Sequence, residues 1–261
     1  MPELPEVEIM ARNLERWLSG QTIESVDVLD AKMAGAGLTD MVGATVTGAW
    51  RRAKYAVVDL SNGSSLVLHY RMTGKTVLDP DLCRRARVRF QTREGAVVAF
   101  EDQRRFGELW LLDTCELEAF FGAKGLGPEP WPQHRNGQWW SGQLQGLRGP
   151  IKPALMRQDR VAGIGNIIAS EALYLARVGP QVVVPSLSDN AWDRIAAGVR
   201  TVIDRTLNME SGDEIAYVNL GGEGSFLVYG HAGSPCPSCQ TPIERIVQAG
   251  RGTFYCPACV S

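Results

Sequence analysis

Four of the six cysteines stand as two pairs, Cys236-Pro-Ser-Cys239 and Cys256-Pro-Ala-Cys259, with sixteen residues between them. Paired C-x-x-C knuckles bring four thiolates to tetrahedral spacing, and four sulfur ligands leave no open position for water or substrate. This pattern predicts one structural zinc ion rather than a disulfide framework. Cys83 and Cys115 stand apart. Between the knuckles, residues 243–247 and 253–255 flank Ala249-Gly250-Arg251-Gly252, which reads as a hairpin with Arg251 at its tip. The other end of the chain offers different chemistry. Pro2 follows Met1, a methionine of the kind commonly trimmed before a small residue. A freed α-amine has a pKa near about 8, against about 10.4 for lysine, so part of it is uncharged and nucleophilic at neutral pH. A secondary amine can attack a sugar C1′ and form an iminium ion, and Glu3 and Glu6 are close enough in sequence to move protons. The same residues also suit a plain helix entry.

A glycine-framed segment, Val161-Ala-Gly163-Ile-Gly165-Asn166, precedes an apolar helical run that contains Glu171. Its glycines permit close backbone approach, and amides at a helix start can meet a phosphate, with Asn166 adding a donor. A tight turn capped by Asn166 fits equally well. Arginines and lysines gather at Arg51, Arg52 and Lys54, at Arg84, Arg85, Arg87 and Arg89, and at Arg104 and Arg105. Each run is either a local basic patch or a solvated turn. A net charge of −2 excludes a protein that coats nucleic acid by bulk positive charge.

Elements must position these groups. With 261 residues, 44% of them hydrophobic, the chain can bury a real core in one large domain or two modest ones. No apolar run approaches the roughly 18 residues of a membrane span, and a soluble cytoplasmic protein is expected. Residues 5–18 read as an amphipathic helix with Val7, Met10, Leu14 and Trp17 on one face, Pro5 in its first turn and Glu6 and Glu8 near its positive end. From Thr22 to Leu112 the pattern becomes short β-branched and aromatic runs, at 44–50, 55–60, 65–70, 88–91, 96–101 and 109–112, which predict a sandwich or barrel. Residues 126–150, rich in Gly, Pro, Gln and Trp, read as a connection with a short helix, and residues 164–176 and 192–207 as the clearest later helices.

Taken together these segments resemble the formamidopyrimidine-DNA glycosylase family, over nearly the whole chain. The resemblance begins at Pro2-Glu3-Leu4-Pro5-Glu6-Val7-Glu8 and continues through Arg51-Arg52-Ala53-Lys54-Tyr55, His69-Tyr70-Arg71-Met72 and Asp102-Gln103-Arg104-Arg105-Phe106-Gly107. Leu126-Gly127-Pro128-Glu129-Pro130, Ile151-Lys152, the segment from Val161 to Asn166, and Gly250-Arg251-Gly252-Thr253 with the cysteines complete it. It implies an α+β fold: a β-sandwich with the N-terminal helix over 2–125, a connection over 126–150, a helix-two-turn-helix domain over 151–225, and a zinc-finger hairpin over 226–261. Damaged double-stranded DNA would lie between the domains of a monomer, associated with a bacterial nucleoid through that DNA. Oxidised or ring-opened bases would be removed and the strand nicked by β,δ-elimination. By the same resemblance Pro2 would attack C1′, Glu3 would be the acid, and Lys54 would contact phosphate near the lesion. Met72, Arg104 and Phe106 would fill the gap left by the flipped nucleotide, while Lys152, Asn166 and Arg251 would contact the DNA.

Departures from the family pattern sharpen this expectation. Arg157 stands where an acid is usual, Ile168 where a tyrosine is usual, and the glycine-rich loop from Asn219 to Ser225 is shorter than is typical. In the family that region closes over 8-oxoguanine, so 8-oxoguanine is not expected to be the best substrate. The competing reading is an inactive DNA-binding zinc protein on the same scaffold; the presence of Pro2, Glu3 and Lys54 together favours the enzyme. A transcription-factor zinc module fits poorly, because the cysteine cluster is a small part of the chain and its ligands are all sulfur.

Overall fold

A computed structural model describes residues 1–78, 85–209 and 226–260. The glycine-rich loop from Asn219 to Ser225 lies outside the described residues. These fall into two compact units, one within Met1–Lys124 and the other formed by Gly125–Asn208 and residues 226–260.

The first unit opens with helix α1 (Leu4–Leu18), whose buried face carries Leu4, Val7, Met10, Leu14 and Trp17. Its start is fixed by a reciprocal capping box. The Glu3 side chain accepts from the backbone of Glu6, and the Glu6 carboxylate accepts from the Glu3 amide at 2.6 Å. Eight strands follow: β1 (Ile23–Val28), β2 (Val46–Arg52), β3 (Tyr55–Leu60), β4 (Ser64–His69), β5 (Gly74–Leu78), β6 (Ala86–Thr92), β7 (Val97–Asp102) and β8 (Glu108–Asp113). They form two four-stranded antiparallel sheets, β1-β6-β7-β5 and β2-β3-β4-β8, which make a β-sandwich. α1 packs on β2 and β3. That cover explains why Tyr55–Leu60 is an almost unbroken buried run instead of an alternation. Tyr70 and Phe100, both fully buried, stack with ring centroids 5.9 Å apart, joining the end of β4 to β7. Helix α2 (Leu117–Ala123) closes the unit.

The second unit is helical, with α3 (Gly137–Gln143), α4 (Ile151–Leu155), α5 (Asn166–Ala176) and α6 (Asp189–Met209), and it ends in the hairpin β9 (Glu244–Gln248) and β10 (Arg251–Tyr255). α3 is the short helix anticipated in the glycine- and tryptophan-rich stretch; Asn136 caps it by accepting from the Trp139 amide at 2.9 Å. No described helix is long and apolar enough to cross a membrane. The hairpin corrects one expectation. Its two-residue turn is Ala249-Gly250, with φ of 47° and 73°, and Arg251 is the first strand residue, paired with Gln248. Two successive positive φ angles match the twist of the flanking strands, so the turn falls on Ala249-Gly250 and moves Arg251 off the tip.

Phe100 is buried completely between elements of both sheets, so Phe100→Ala should cost about 3–5 kcal/mol of stability. Urea unfolding of the variant, read by its midpoint, checks this.

Candidate functional site

In the first unit, the predicted residues sit on three features whose geometry is set by buried charge. Pro2, Glu3 and Glu6 are all buried at the start of α1. Lys54, also buried, occupies the turn between β2 and β3, where Ala53 takes a left-handed φ of 53°. Arg51 ties that turn to the helix: its guanidinium donates to Glu8 on α1 and to the Ala53 carbonyl, both at 3.0 Å. The α-amine of Met1 lies among opposed charges. Burial lowers its pKa below 8.0; Glu3 and Glu6 pull it back up, while Lys54 and Arg104 press it down further.

The loops carrying Met72, Arg104 and Phe106 share one buried carboxylate, Asp102. One of its oxygens accepts from the Thr73 hydroxyl at 2.5 Å and the Arg104 amide at 3.1 Å, and the other accepts from the Gly107 amide at 2.6 Å. A side chain at Gly107 would run into the Phe100 ring, which is why glycine ends this loop. Arg105 turns the opposite way, at φ 57°, and grips Asp30 with two hydrogen bonds of 2.7 and 2.5 Å. With those ends held, Met72 and Phe106 are left 43% and 47% exposed, and the Arg104 guanidinium lies 4.8 Å over the Phe106 ring. Sequence reasoning quoted Asp102 only as part of a motif, without a role, and passed over Asp30. Both accept a backbone hydrogen bond from the residue two positions on, Arg104 and Lys32, a turn signature legible in an aspartate that opens a loop.

The second unit assembles its predicted residues around Lys152. This lysine does not present its ammonium to solvent: it is 1% exposed, and it donates to Asn166 at 2.5 Å, to the Thr253 hydroxyl at 2.8 Å and, at 3.4 Å, to the Gly252 carbonyl. Asn166 in turn donates to the Gly252 carbonyl at 2.9 Å. The start of α5 is thus locked to the hairpin, and Arg251, exposed, is the neighbour of the residue that receives both bonds. Gln158 shapes the glycine loop by accepting from the Gly163 amide and donating to the carbonyls of Met156 and Ile164. Gly163 needs its φ of 92°. Arg157 is engaged bidentately by Asp159 at 2.8 and 2.6 Å, so its charge is balanced on the spot, and Ile168 is a buried core residue of α5.

Glu171 is a further residue that sequence reasoning left without a role. It is 3% exposed and accepts from three successive amides, Leu227, Val228 and Tyr229, at 2.7, 2.8 and 2.8 Å. A lone acid in an apolar helix is the signal that could have found it.

The four predicted cysteines converge, with all four sulfurs within 4.8 Å of one another and individual pairs at 3.4–3.7 Å. A zinc ion with Zn–S bonds of about 2.3 Å needs tetrahedral S···S separations of about 3.8 Å, so the donor set fits. Burial alone would push the Cys236 thiol up, but the Tyr174 hydroxyl and the amides of Ser238 and Cys239 outweigh it and hold the thiol at about 6.

A sandwich unit with a buried acid-lysine cluster, a helical unit and a four-cysteine hairpin define an α+β zinc-finger protein, and comparison with known proteins places it. The N-terminal domain of formamidopyrimidine-DNA glycosylase matches residues 1–109, the helix-two-turn-helix domain of that enzyme residues 126–216, and a zinc finger found in FPG and IleRS residues 233–261. A formamidopyrimidine-DNA glycosylase of Rhizorhabdus wittichii is 36% identical, covering 99% of each chain. The crystal structure of the Lactococcus lactis enzyme bound to DNA containing an AP site superimposes with a TM-score of 0.88 at 30% identity, over 99% of each chain. A complex of the Lactococcus lactis protein with DNA containing an oxidised pyrimidine gives 0.88 at 29% identity, over 100% of each. The chain belongs to the formamidopyrimidine-DNA glycosylase family.

His69 yields a pH prediction. Burial first, then the positive charges of Arg71, Lys54 and Lys124, pushes its pKa from 6.5 down to about 3. The unfolded chain therefore binds a proton that the folded one refuses. Its contribution is fully present above pH 6.5 and is lost as pH falls toward 3, with a slope of up to about 1.4 kcal/mol per pH unit. Urea unfolding across that window should show this slope, and His69→Gln should flatten it.

Proposed function

We propose that this protein is a base excision repair glycosylase with an accompanying lyase activity, acting on oxidised or ring-opened bases in double-stranded DNA. The observation that carries the reading is that Pro2, Glu3, Glu6 and Lys54 are all buried and that Glu3, Glu6 and Lys54 all act on the charge at the chain start, here the Met1 α-amine. With Met1 removed, the Pro2 nitrogen becomes a secondary amine, one residue along from the group on which those charges act. It attacks C1′ of the damaged nucleotide, the base departs, and the resulting iminium acidifies C2′ for β- and then δ-elimination. Glu3 supplies the proton that the ring oxygen needs as the sugar opens, and Lys54 holds a neighbouring phosphate.

Met72, Arg104 and Phe106 occupy the space vacated when the nucleotide leaves the stack. Inserted side chains offset an unstacking cost of a few kcal/mol. Asn166 and Arg251 hold the sugar-phosphate backbone, and Lys152 supports them from within by orienting Asn166 and the hairpin. A single zinc ion on Cys236, Cys239, Cys256 and Cys259 supplies no chemistry to the reaction; it stiffens the hairpin that presents Arg251. The bacterial relatives support a cytoplasmic protein gathered on the nucleoid by its DNA, and the reading takes it to work as a monomer.

Borohydride added during turnover of an abasic or lesion-bearing duplex should trap a covalent adduct through Pro2, and an extra N-terminal residue should abolish it. Robust trapping by protein whose intact mass includes Met1 would remove Pro2 from the mechanism.

We further propose that formamidopyrimidines, oxidised pyrimidines and abasic sites are processed faster than 8-oxoguanine opposite cytosine. Discriminating 8-oxoguanine from guanine needs placed donors and acceptors, each worth about 1–3 kcal/mol when left unpaired. The short glycine-rich stretch from Asn219 to Ser225 offers few side chains to order them. The Lactococcus lactis relative captured on an oxidised pyrimidine supports this substrate class. Single-turnover rates on matched duplexes test it, and faster excision of 8-oxoguanine than of the other lesions overturns it.

A further inference from the structure

The zinc reading leaves one neighbouring group without a role. Tyr174, near the end of α5, is buried with Val228, Cys236, Ile243 and Cys256, and its hydroxyl lies 3.3 Å from the sulfur of Cys236 and 2.7 Å from the hydroxyl of Ser238. A metal-bound cysteine would be a thiolate and can only accept, whereas the Ser238 hydroxyl can donate as well as accept, so the arrangement that satisfies both groups points the tyrosine proton at the sulfur. The Ser238 hydroxyl then completes the chain by donating to the tyrosine oxygen. The Ser238 amide, 3.4 Å from the same sulfur, adds a second donor to that thiolate.

We propose that Tyr174 is a positioning residue of the zinc centre, donating a hydrogen bond through its hydroxyl to the Cys236 thiolate and thereby fixing how tightly the metal is held. A thiolate held by zinc would still carry lone pairs that favour a donor, and leaving them unmet in a buried setting is costly. The bond also reaches outside the cysteine knuckles: it connects the metal to the helix whose first residue, Asn166, is bonded to Gly252 in the hairpin. Groups hydrogen-bonded to metal ligands commonly change metal affinity about 10–100-fold when removed. The proposal rests on the four-cysteine zinc reading.

Tyr174→Phe keeps the ring and deletes only the donor. Metal analysis of the wild-type protein reports first whether zinc is bound at all, which tests the underlying reading separately. In competition with a chromogenic zinc chelator, the variant should then bind zinc about 10-fold or more weakly. In the cobalt-substituted proteins, the sulfur-to-cobalt charge-transfer band should move to lower energy in the variant, because a thiolate relieved of a hydrogen bond is the better electron donor. Should the variant fail to fold, 3-fluorotyrosine incorporation serves instead; its more acidic hydroxyl is a stronger donor and should move the band to higher energy. Unchanged zinc affinity with an unmoved band in Tyr174→Phe, or an unmoved band on fluorination, overturns the proposal.

Discussion

A charge taken out of water must be repaid in hydrogen bonds, and this molecule uses that requirement repeatedly to fix its loops. Asp102, Glu171 and Lys152 are each almost wholly buried; Asp102 and Lys152 are each met by two segments of chain, and Glu171 by three successive amides of one. An ionised group left unsaturated in such a place costs several kcal/mol, so the segments that saturate it are held with it. Asp102 thereby fixes the two loops that expose Met72 and Phe106, and Lys152 fixes the start of α5 against the hairpin. The hydrophobic core decides that the units fold; the buried charges decide where the loop tips stand.

This division separates frame from tool. The side chains proposed to meet DNA from the first unit, Met72, Arg104 and Phe106, are not themselves held by the core. Their neighbours are: Thr73 and Gly107 bond to Asp102, and Arg105 bonds to Asp30. Residues of alternating fate along one short loop give a rigid backbone with exposed ends, which lowers the ordering cost of any insertion.

Much of this was legible in the chain because local pattern and global fold agree. The amphipathic spacing of α1 and the continuous apolar run of β3 predicted those elements nearly to the residue. β1 was not singled out, and a bulge explains it: the register shifts between Ile23 and Ser25, so its apolar residues fall out of strict alternation. β5 hides behind Gly74, a poor strand residue kept because a side chain there would strike the Tyr70 carbonyl. The four cysteines were readable because the metal dictates their spacing. The burial of Lys152 was not, since its partners Gly252 and Thr253 lie 100 and 101 residues away, and nothing local in Ile151-Lys152-Pro153 says that the ammonium turns inward.

The Asp30–Arg105 pair has a consequence for how ionic strength acts on this protein. Its carboxylate is 1% exposed but its guanidinium is 55% exposed, so dissolved ions reach one partner. Added salt lowers the free energy gained when a phosphate contact releases its counterions, and it also screens the ion pair that holds Arg105 between Arg104 and Phe106. The two effects share a sign. A plot of binding against the logarithm of salt concentration would then be steeper than the phosphate contacts alone make it, the difference reporting an interaction wholly inside the protein.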